Sequence, residues 1–501
     1  MKKIICILSV FISLAGYTQS EYKAKFSTPM SNNSSVKAKV WGAAEPNTLL
    51  YSDGTYAYFL RFDFEAKNKT KKLAIIERYG KDLKPEKVAE TALVCPDKTE
   101  ALPYKAFYLK GKIIIMYIVE VGKNIHDLYG LTMTLQGKAS APILLEAKAS
   151  VTWATVDYVI TDDTSKLIAY KKNSDNGFGY RGAIPVKVYD NELNVLLDVT
   201  AATNKNLTDV EISNICFSDA GNMYFLASKY KEGVKELLYD YSLYAVTKSL
   251  EKCKELPLVF ENGFCPRNAT LKVWNDENIL IEGYLEKKEG QVSGIFHASV
   301  NATTMKYNFL NAGKFSADME RKIFEEVDPS RKGNLVVRLP EISTILGRND
   351  GGYTVVRVTE TNPSDLVVIT SIDNRGNEEW NTILTAGWIY PLGNRFTIIP
   401  SNDKLYVFYK DIKSNVNTTL RKQTVAFKEP EASLAMAIIS DKGVLTKQLV
   451  HTPSTSLDDV NAFYKINKTV SFQEGEFIFQ KYSNKTFMTG KLIVKQCKYY
   501  F

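Results

Sequence analysis

Asn349-Asp350-Gly351-Gly352, followed by Tyr353-Thr354-Val355-Val356-Arg357-Val358, is a polar, turn-forming tetrapeptide that feeds an apolar run rich in β-branched residues. Asp and Asn hydrogen-bond to nearby backbone, and Gly accepts a positive φ, so the tetrapeptide reads as a tight turn. The run after it reads as a strand. The same arrangement recurs at Ser52-Asp53-Gly54, Asp162-Asp163-Thr164-Ser165, Ser218-Asp219-Ala220-Gly221-Asn222, Asn275-Asp276-Glu277-Asn278 and Ser401-Asn402-Asp403-Lys404. Lys110-Gly111-Lys112 and Gln473-Glu474-Gly475 are shorter turns in the same series. One turn falls roughly every 52 to 58 residues, stretched to just over 70 twice, which is the mark of a repeat architecture. A supersecondary unit copied at that period, built of strands, is expected to close into a β-propeller.

Most repeats read as four short strands. In the first, 56–62 follows the turn, then 73–79, then a second turn at Gly80-Lys81-Asp82-Leu83 and a strand from Lys87. Strands over 112–120, 128–135 and 142–146 make the second, and 167–171 and 185–189, with an outer turn at Asp190-Asn191-Glu192, the third. The pattern is interrupted after the fifth repeat. Ser316-Ala317-Asp318 has the residues of a helix start, and Met319, Ile323 and Val327 recur on one helical face. A short inserted helix is therefore expected at about 314–332. The seventh repeat contains a long polar loop, 413–431, of a length that in compact domains usually serves function. The last repeat lacks an outer strand, and Val36-Lys37-Ala38-Lys39-Val40-Trp41 is a segment that could supply it and remove the open sheet edges. The fold class expected is all-β: a single propeller of seven to eight four-stranded blades, closed by an N-terminal strand.

The two ends of the composition bound the setting. Lys2 and Lys3 precede an apolar stretch, 4–16, too short to span a bilayer as a helix, and small residues around Gly16-Tyr17-Thr18 offer a cleavage site. Residues 1–18 thus read as a bacterial secretory signal, and 19–501 as one propeller domain in the periplasm or at the cell surface. No later run is long and apolar enough for a transmembrane helix. Without Cys6 the chain keeps Cys95, Cys216, Cys253, Cys265 and Cys497, an odd number that excludes a complete disulfide framework. Cys253 and Cys265 are close enough in sequence to bridge a loop, and that pairing stays open. The formal charge of +8 is spread without a basic run, so nucleic acid is not expected as a partner.

Gly177-Phe178-Gly179-Tyr180-Arg181-Gly182 matches G-x-G-x-x-G, but a strand rather than a helix is expected after it, so no dinucleotide cofactor is inferred. Its aromatic and basic residues, Phe178, Tyr180 and Arg181, make that loop a candidate binding element. The three histidines, His126, His297 and His451, stand in different repeats without ligand spacing, and no metal site is expected. Neither H-E-x-x-H nor G-x-S-x-G is present. Paired carboxylates could still meet in a central channel. Asp373-Asn374-Arg375-Gly376-Asn377-Glu378-Glu379-Trp380 resembles the D-x-x-G-x-x-x-W turn of quinoprotein-type blades and approaches the sialidase Asp-box. That resemblance implies a structural role, with Asp and Gly shaping a turn and Trp packing between blades. Ser440-Asp441-Lys442-Gly443 begins a second copy without the tryptophan.

Ile281-Glu282-Gly283-Tyr284, Gly294-Ile295-Phe296 and Gly351-Gly352-Tyr353 together resemble a group of uncharacterised exported propeller proteins of Bacteroidota, mainly over the second half of the chain. The resemblance implies no catalytic residues and no cofactor. The function expected is non-enzymatic binding of an envelope protein or glycan, because loops on a rigid scaffold carry recognition. The alternative is a polysaccharide hydrolase or lyase with channel carboxylates.

Overall fold

The computed structural model describes residues 25–26, 30–32, 47–63, 72–80, 82, 84–93, 101–122, 125–150, 156–171, 184–201, 211–230, 238–246, 253–288, 291–315, 341–361, 364–387, 396–401, 404–413, 432–451, 462–473, 476–484 and 492–500. Apart from one turn of 3-10 helix at Glu261–Gly263, every regular element among them is a strand. The strands form a β-propeller of antiparallel sheets. Seven are four-stranded blades, each a meander of consecutive strands: 47–93, 101–150, 156–201, 211–258, 265–313, 341–387 and 396–451. The place between the seventh blade and the first is filled by a further sheet of composite origin. Its strands Ala462–Gln473, Glu476–Asn484 and Leu492–Tyr500 come from the C-terminal part of the chain. Lys25–Phe26 and Met30–Asn32 complete it by pairing with the last of these.

The eight recurring turns of the sequence are the hairpins between first and second strands of these sheets. First strands of neighbouring blades touch along the axis, and first strand Ala462–Gln473 touches both Phe396–Ser401 and Asn47–Ser52, which closes the ring. The closing residues differ from the segment expected. Lys25 and Phe26 pair with Lys498 and Cys497, and Met30, Ser31 and Asn32 with Val494, Ile493 and Leu492. Those partners are therefore taken, and 36–41 lies outside the described residues. The helix expected at about 314–332 likewise lies outside them, but for Lys314 and Phe315.

The apolar runs are continuous because each blade is covered on both faces. In the second blade Ile113, Ile115, Tyr117 and Val119 pack with Leu60 and Ile76 of the first. The alternate residues Ile114, Met116 and Ile118 pack with Leu167 and Ala169 of the third. Side chains alternate across a strand, so a two-sided core requires an unbroken hydrophobic run. In the seventh blade Leu405, Val407 and Tyr409 face Val356, Val367 and Ile369 of the sixth, while Tyr406 and Phe408 face Phe477 of the composite sheet.

Outer strands lock the blades at a second level. Asp373 Oδ1 accepts hydrogen bonds from Arg375 N and Asn377 N at 2.8 and 2.7 Å, and Gly376 takes the positive φ of 83° that ends the turn. The third blade repeats this geometry at Asp190, whose Oδ1 accepts from Glu192 N and Asn194 N at 2.8 and 2.9 Å. Trp380 then donates Nε1–H to the Asp441 carbonyl at 2.7 Å and covers Gly443 of the next blade, where an added Cβ would stand 2.7 Å from the indole ring. Phe309 covers Gly376 in the same way. The turn motif is thus an inter-blade device, as its resemblance implied.

Candidate functional site

A meander blade sends its first-to-second and third-to-fourth hairpins to one end of the ring. The second-to-third and blade-to-blade connections go to the other. Among the described residues the first end carries tight turns such as Ser52 to Ala57, Leu109 to Lys112 and Ser440 to Leu445, and the longer connection from Thr134 to Ile143. The strands that flank 172–183, 202–210, 314–340, 413–431 and 452–461 end and begin at the second. Phe178, Tyr180 and Arg181 belong to the first of these and lie outside the described residues. The strand Ile184–Tyr189 that follows them is the strand expected in place of a nucleotide-binding helix.

The turn end is cross-linked from blade to blade. Asp219 Oδ1 accepts the Asp163 amide of the preceding blade at 3.0 Å. Asp276 Oδ1 and Oδ2 accept the amides of Asp219 and Ala220 at 2.7 and 3.0 Å. Lys110 Nζ reaches Asp163 Oδ2 at 2.9 Å. Lys272 Nζ reaches Asp162 Oδ2 at 2.7 Å, joining the fifth blade to the third past the fourth. Burial pushes the Asp163 carboxyl up, but hydrogen bonds from Ser165, Thr161 and Lys110 outweigh it and hold this group well below the usual carboxylate range. Asp219 is shifted the other way, raised by burial and by the charges of Asp163 and Asp276. The aspartates of the recurring turns are thus engaged in shaping and joining the turns.

Several first strands carry a β-bulge where they line the axis: between Leu49 and Tyr51, Pro103 and Lys105, Ser213 and Ile215, Arg267 and Thr270, and Ile342 and Thr344. A bulge leaves one residue unpaired and re-aims it. Asn214 and Asn268, both exposed, sit at two of these points with φ of 47° and 48°. Asn214 Nδ2 donates to the Ala269 carbonyl at 2.8 Å, and its Oδ1 accepts from Thr270 Oγ1 at 3.0 Å, so the bulges of the fourth and fifth blades are linked. Acidic residues in the eight first strands are Asp157, Glu211 and Glu341. Against them stand Lys105, Arg267, Lys272, Lys465 and Lys468. Lys105 Nζ lies over the rings of Tyr104 and Tyr158, 5.3 and 5.1 Å from their centroids. Of the three acids, Asp157 accepts a hydrogen bond from Tyr170 OH at 3.3 Å.

Three of the four buried carboxylates among the described residues, Glu77, Glu282 and Glu286, are held inside and between blades by arginine; the fourth is Asp411. Glu77 accepts from Arg61 Nε at 3.0 Å, and Glu286 from Arg267 Nη1 at 2.7 Å. The largest such group lies between the fifth and sixth blades, a cluster that sequence reasoning had passed over as strand. Glu282, fully buried, accepts from Tyr353 OH and meets His297 Nδ1 at 2.7 Å through Oε1. Its Oε2 accepts from Arg357 Nη2 at 2.7 Å, and Arg357 Nη1 donates to Thr370 Oγ1 at 2.9 Å. Burial and the Glu282 charge push the Tyr353 hydroxyl pKa well above its ordinary value. The legible signal was a single charge at the centre of each of two apolar runs, Ile279-Leu280-Ile281-Glu282 and Val355-Val356-Arg357-Val358.

Cys216, Cys253 and Cys265 are free thiols. Cys253 begins the last strand of the fourth blade and Cys265 the first of the fifth, at opposite ends of the ring, which rules out the bridge left open by their spacing. Burial pushes the Cys253 thiol up to about 11, away from a reactive thiolate. Among the described residues no group of three or more His, Cys, Asp or Glu side chains could hold a metal ion. No helix among them is long and apolar enough to cross a membrane.

No protein-family model matches the chain, and no curated protein matches it. Among solved structures it is similar to the β-propeller domain of the Trilobed protease from Pyrococcus furiosus, described as having an open velcro topology, at 12% identity over 81% of this chain and 98% of that one, with a TM-score of 0.36. It is also similar to prolyl oligopeptidase B from Galerina marginata, at 10% identity over 92% of this chain and 56% of that one, with a TM-score of 0.41. A protein of unknown function from Dyadobacter fermentans aligns at 7% identity over 92% of this chain and 100% of that one, with a TM-score of 0.32. The likeness in each case is one of fold alone.

Proposed function

We propose that the protein is an exported β-propeller that binds a protein or glycan partner at a bacterial cell envelope and does not itself catalyse a reaction. The observation that carries this reading is how the carboxylates are used. Among the described residues three of the four buried carboxylates, Glu77, Glu282 and Glu286, are paired with arginines within and between blades, and those of the turn end shape and join turns. First strands along the axis are richer in lysine and arginine than in acid. A scaffold of this kind displays its long connections at one end, and connections on a rigid frame are where recognition concentrates. The charged start and apolar stretch of 1–18 support export, and the resemblance to exported Bacteroidota propellers supports an envelope setting.

The test is gentle cross-linking of the tagged, full-length chain in its host, followed by purification from the envelope fraction. One stoichiometric protein or glycan partner is expected. It should be lost when 414–431 is replaced by a short Gly-Ser linker, with circular dichroism and melting temperature unchanged. Release of new sugar ends from a polysaccharide panel, abolished by Asp157→Asn, Glu211→Gln or Glu341→Gln, would overturn the reading in favour of a hydrolase or lyase.

A further inference from the structure

At the turn end hydrogen bonds and ion pairs join the second to fifth blades, and between the sixth and seventh blades lies a cleft of ≈ 490 Å³. Leu346, Leu405 and Ile439 contribute an apolar floor. Arg348 stands at its edge and fixes two carboxylates at once: Nε and Nη2 donate to Asp350 at 3.1 and 2.9 Å, and Nη1 to Glu379 at 2.6 Å. Asp350 is 63% exposed and Glu379 38%, so each keeps acceptor capacity facing solvent. Trp380 completes the wall, its indole held by Asp441 and seated on Gly443.

The adjoining interface is filled where this one is open. Between the fifth and sixth blades, the ring of Trp274 lies directly over Gly347, and Asn311 Nδ2 ties down the Arg375 carbonyl at 2.9 Å. Between the sixth and seventh, Ser401 pairs with Lys404, while in the sixth blade five residues separate the paired Gly347 and Tyr353.

We propose that this cleft is a binding site for neutral saccharide units. Two carboxylates bound by one guanidinium are pre-set acceptors for vicinal hydroxyls, in the charge-assisted class of hydrogen bond. An indole with its N–H already engaged offers an apolar surface to the C–H face of a pyranose ring. An apolar floor with a few convergent polar groups is the general form of a small-molecule site. The lining charges, Asp350, Glu379 and Asp441 against Arg348 and Lys404, disfavour phosphate, sulfate or uronic acid groups, which would meet carboxylates and find Arg348 already occupied. This site lies at the end of the ring opposite the long connections, so it stands or falls separately from the partner proposed for them.

The experiment is saturation-transfer NMR with isothermal titration of the full-length chain against trisaccharides of glucose, mannose and galactose, with uronic-acid and sulfated counterparts as controls. At least one neutral trisaccharide is expected to bind, and its acidic counterpart to bind more weakly. Glu379→Gln should weaken binding by about tenfold, the loss of one charge-assisted hydrogen bond, with the melting temperature kept. Trp380→Phe is the second variant, retaining a ring on Gly443 while reducing the platform, and should weaken binding less. Absence of binding by every neutral probe at millimolar concentration would overturn the proposal. So would preference for the acidic probes, or equal binding by wild type and Glu379→Gln.

Discussion

The sixth blade has two neighbours and meets them by different chemistry. Toward the fifth it presents Tyr353, Arg357 and Thr370, which converge with His297 on the buried carboxylate of Glu282. Toward the seventh it presents Val356, Val367, Ile369 and Leu384, packed against Val407, Tyr409 and Ala435. The first is built around a buried ionic cluster, whereas the second buries apolar side chains and keeps its charges, Arg348, Asp350, Glu379, Lys404 and Asp441, in the cleft at the turn end. Apolar burial, with the hydrogen bonds of Trp380 to Asp441 and of Thr382 to Gly443, joins the sixth and seventh blades without a buried ion pair. The ionic cluster adds a fixed register, because its donors fit one alignment of the blades only, and it adds sensitivity, because no member can be removed alone without leaving a buried polar group unmatched.

The sharpest way to break this contrast is Glu282→Gln. It leaves Arg357 buried at 1% exposure without its counter-charge, and a loss of roughly 3–5 kcal/mol is expected in denaturant unfolding. Tyr353→Phe removes one hydrogen bond to the same carboxylate and should cost about 1.5–3 kcal/mol. On the apolar side, Gly443→Ala must displace the Trp380 ring and hold Ala at a φ of 74°. About 1–3 kcal/mol is expected from the overpacking, with a shift in tryptophan fluorescence. Asp219→Asn tests the turn end. Its carboxyl pKa is raised in the fold by burial and by its acidic neighbours. The charged form is therefore disfavoured there, and that cost sets in as pH rises through the raised folded value. Asn keeps the acceptor for the Asp163 amide, so the variant should melt slightly higher at neutral pH. The gain should be under about 1 kcal/mol at so exposed a site, and should vanish at acid pH where Asp219 is protonated. Tyr409→Phe closes the series. Among the described residues its buried hydroxyl has no hydrogen-bond partner, so a change within about 0.5 kcal/mol is expected, against the larger loss at Tyr353. Equal effects at the two tyrosines would dissolve the comparison.

Fold and site were not equally legible. The ring was readable because its signals are local: an Asp-Gly turn and the two-sided apolar run after it lie side by side in the sequence. The Asp373 turn and the seat of Trp380 on the next blade were readable for the same reason. Glu282 and Arg357 were visible as charges in apolar runs, but their pairing depends on which blade faces which. The cleft depends on the relative lengths of turns in two blades, which no single stretch encodes. Closure by an N-terminal segment was legible, but not that 25–26 and 30–32 take part in it, because the pairing is decided by the distant partner strand. Phe178, Tyr180 and Arg181, chosen for composition in a flexible-looking loop, fall outside the described residues.

The composite sheet has a kinetic meaning. Lys25 pairs with Lys498 and Asn32 with Leu492, so among the earliest described residues to leave the ribosome find their partners among the last. Such a contact spans almost the whole chain, and the loop entropy of forming it is met only after the intervening blades have shortened the path. Closure is then the concluding event of folding. Until it occurs, the outer edge of Leu492–Tyr500 is an open template for other chains, and the time spent in that state sets how readily the protein aggregates before its ring is complete.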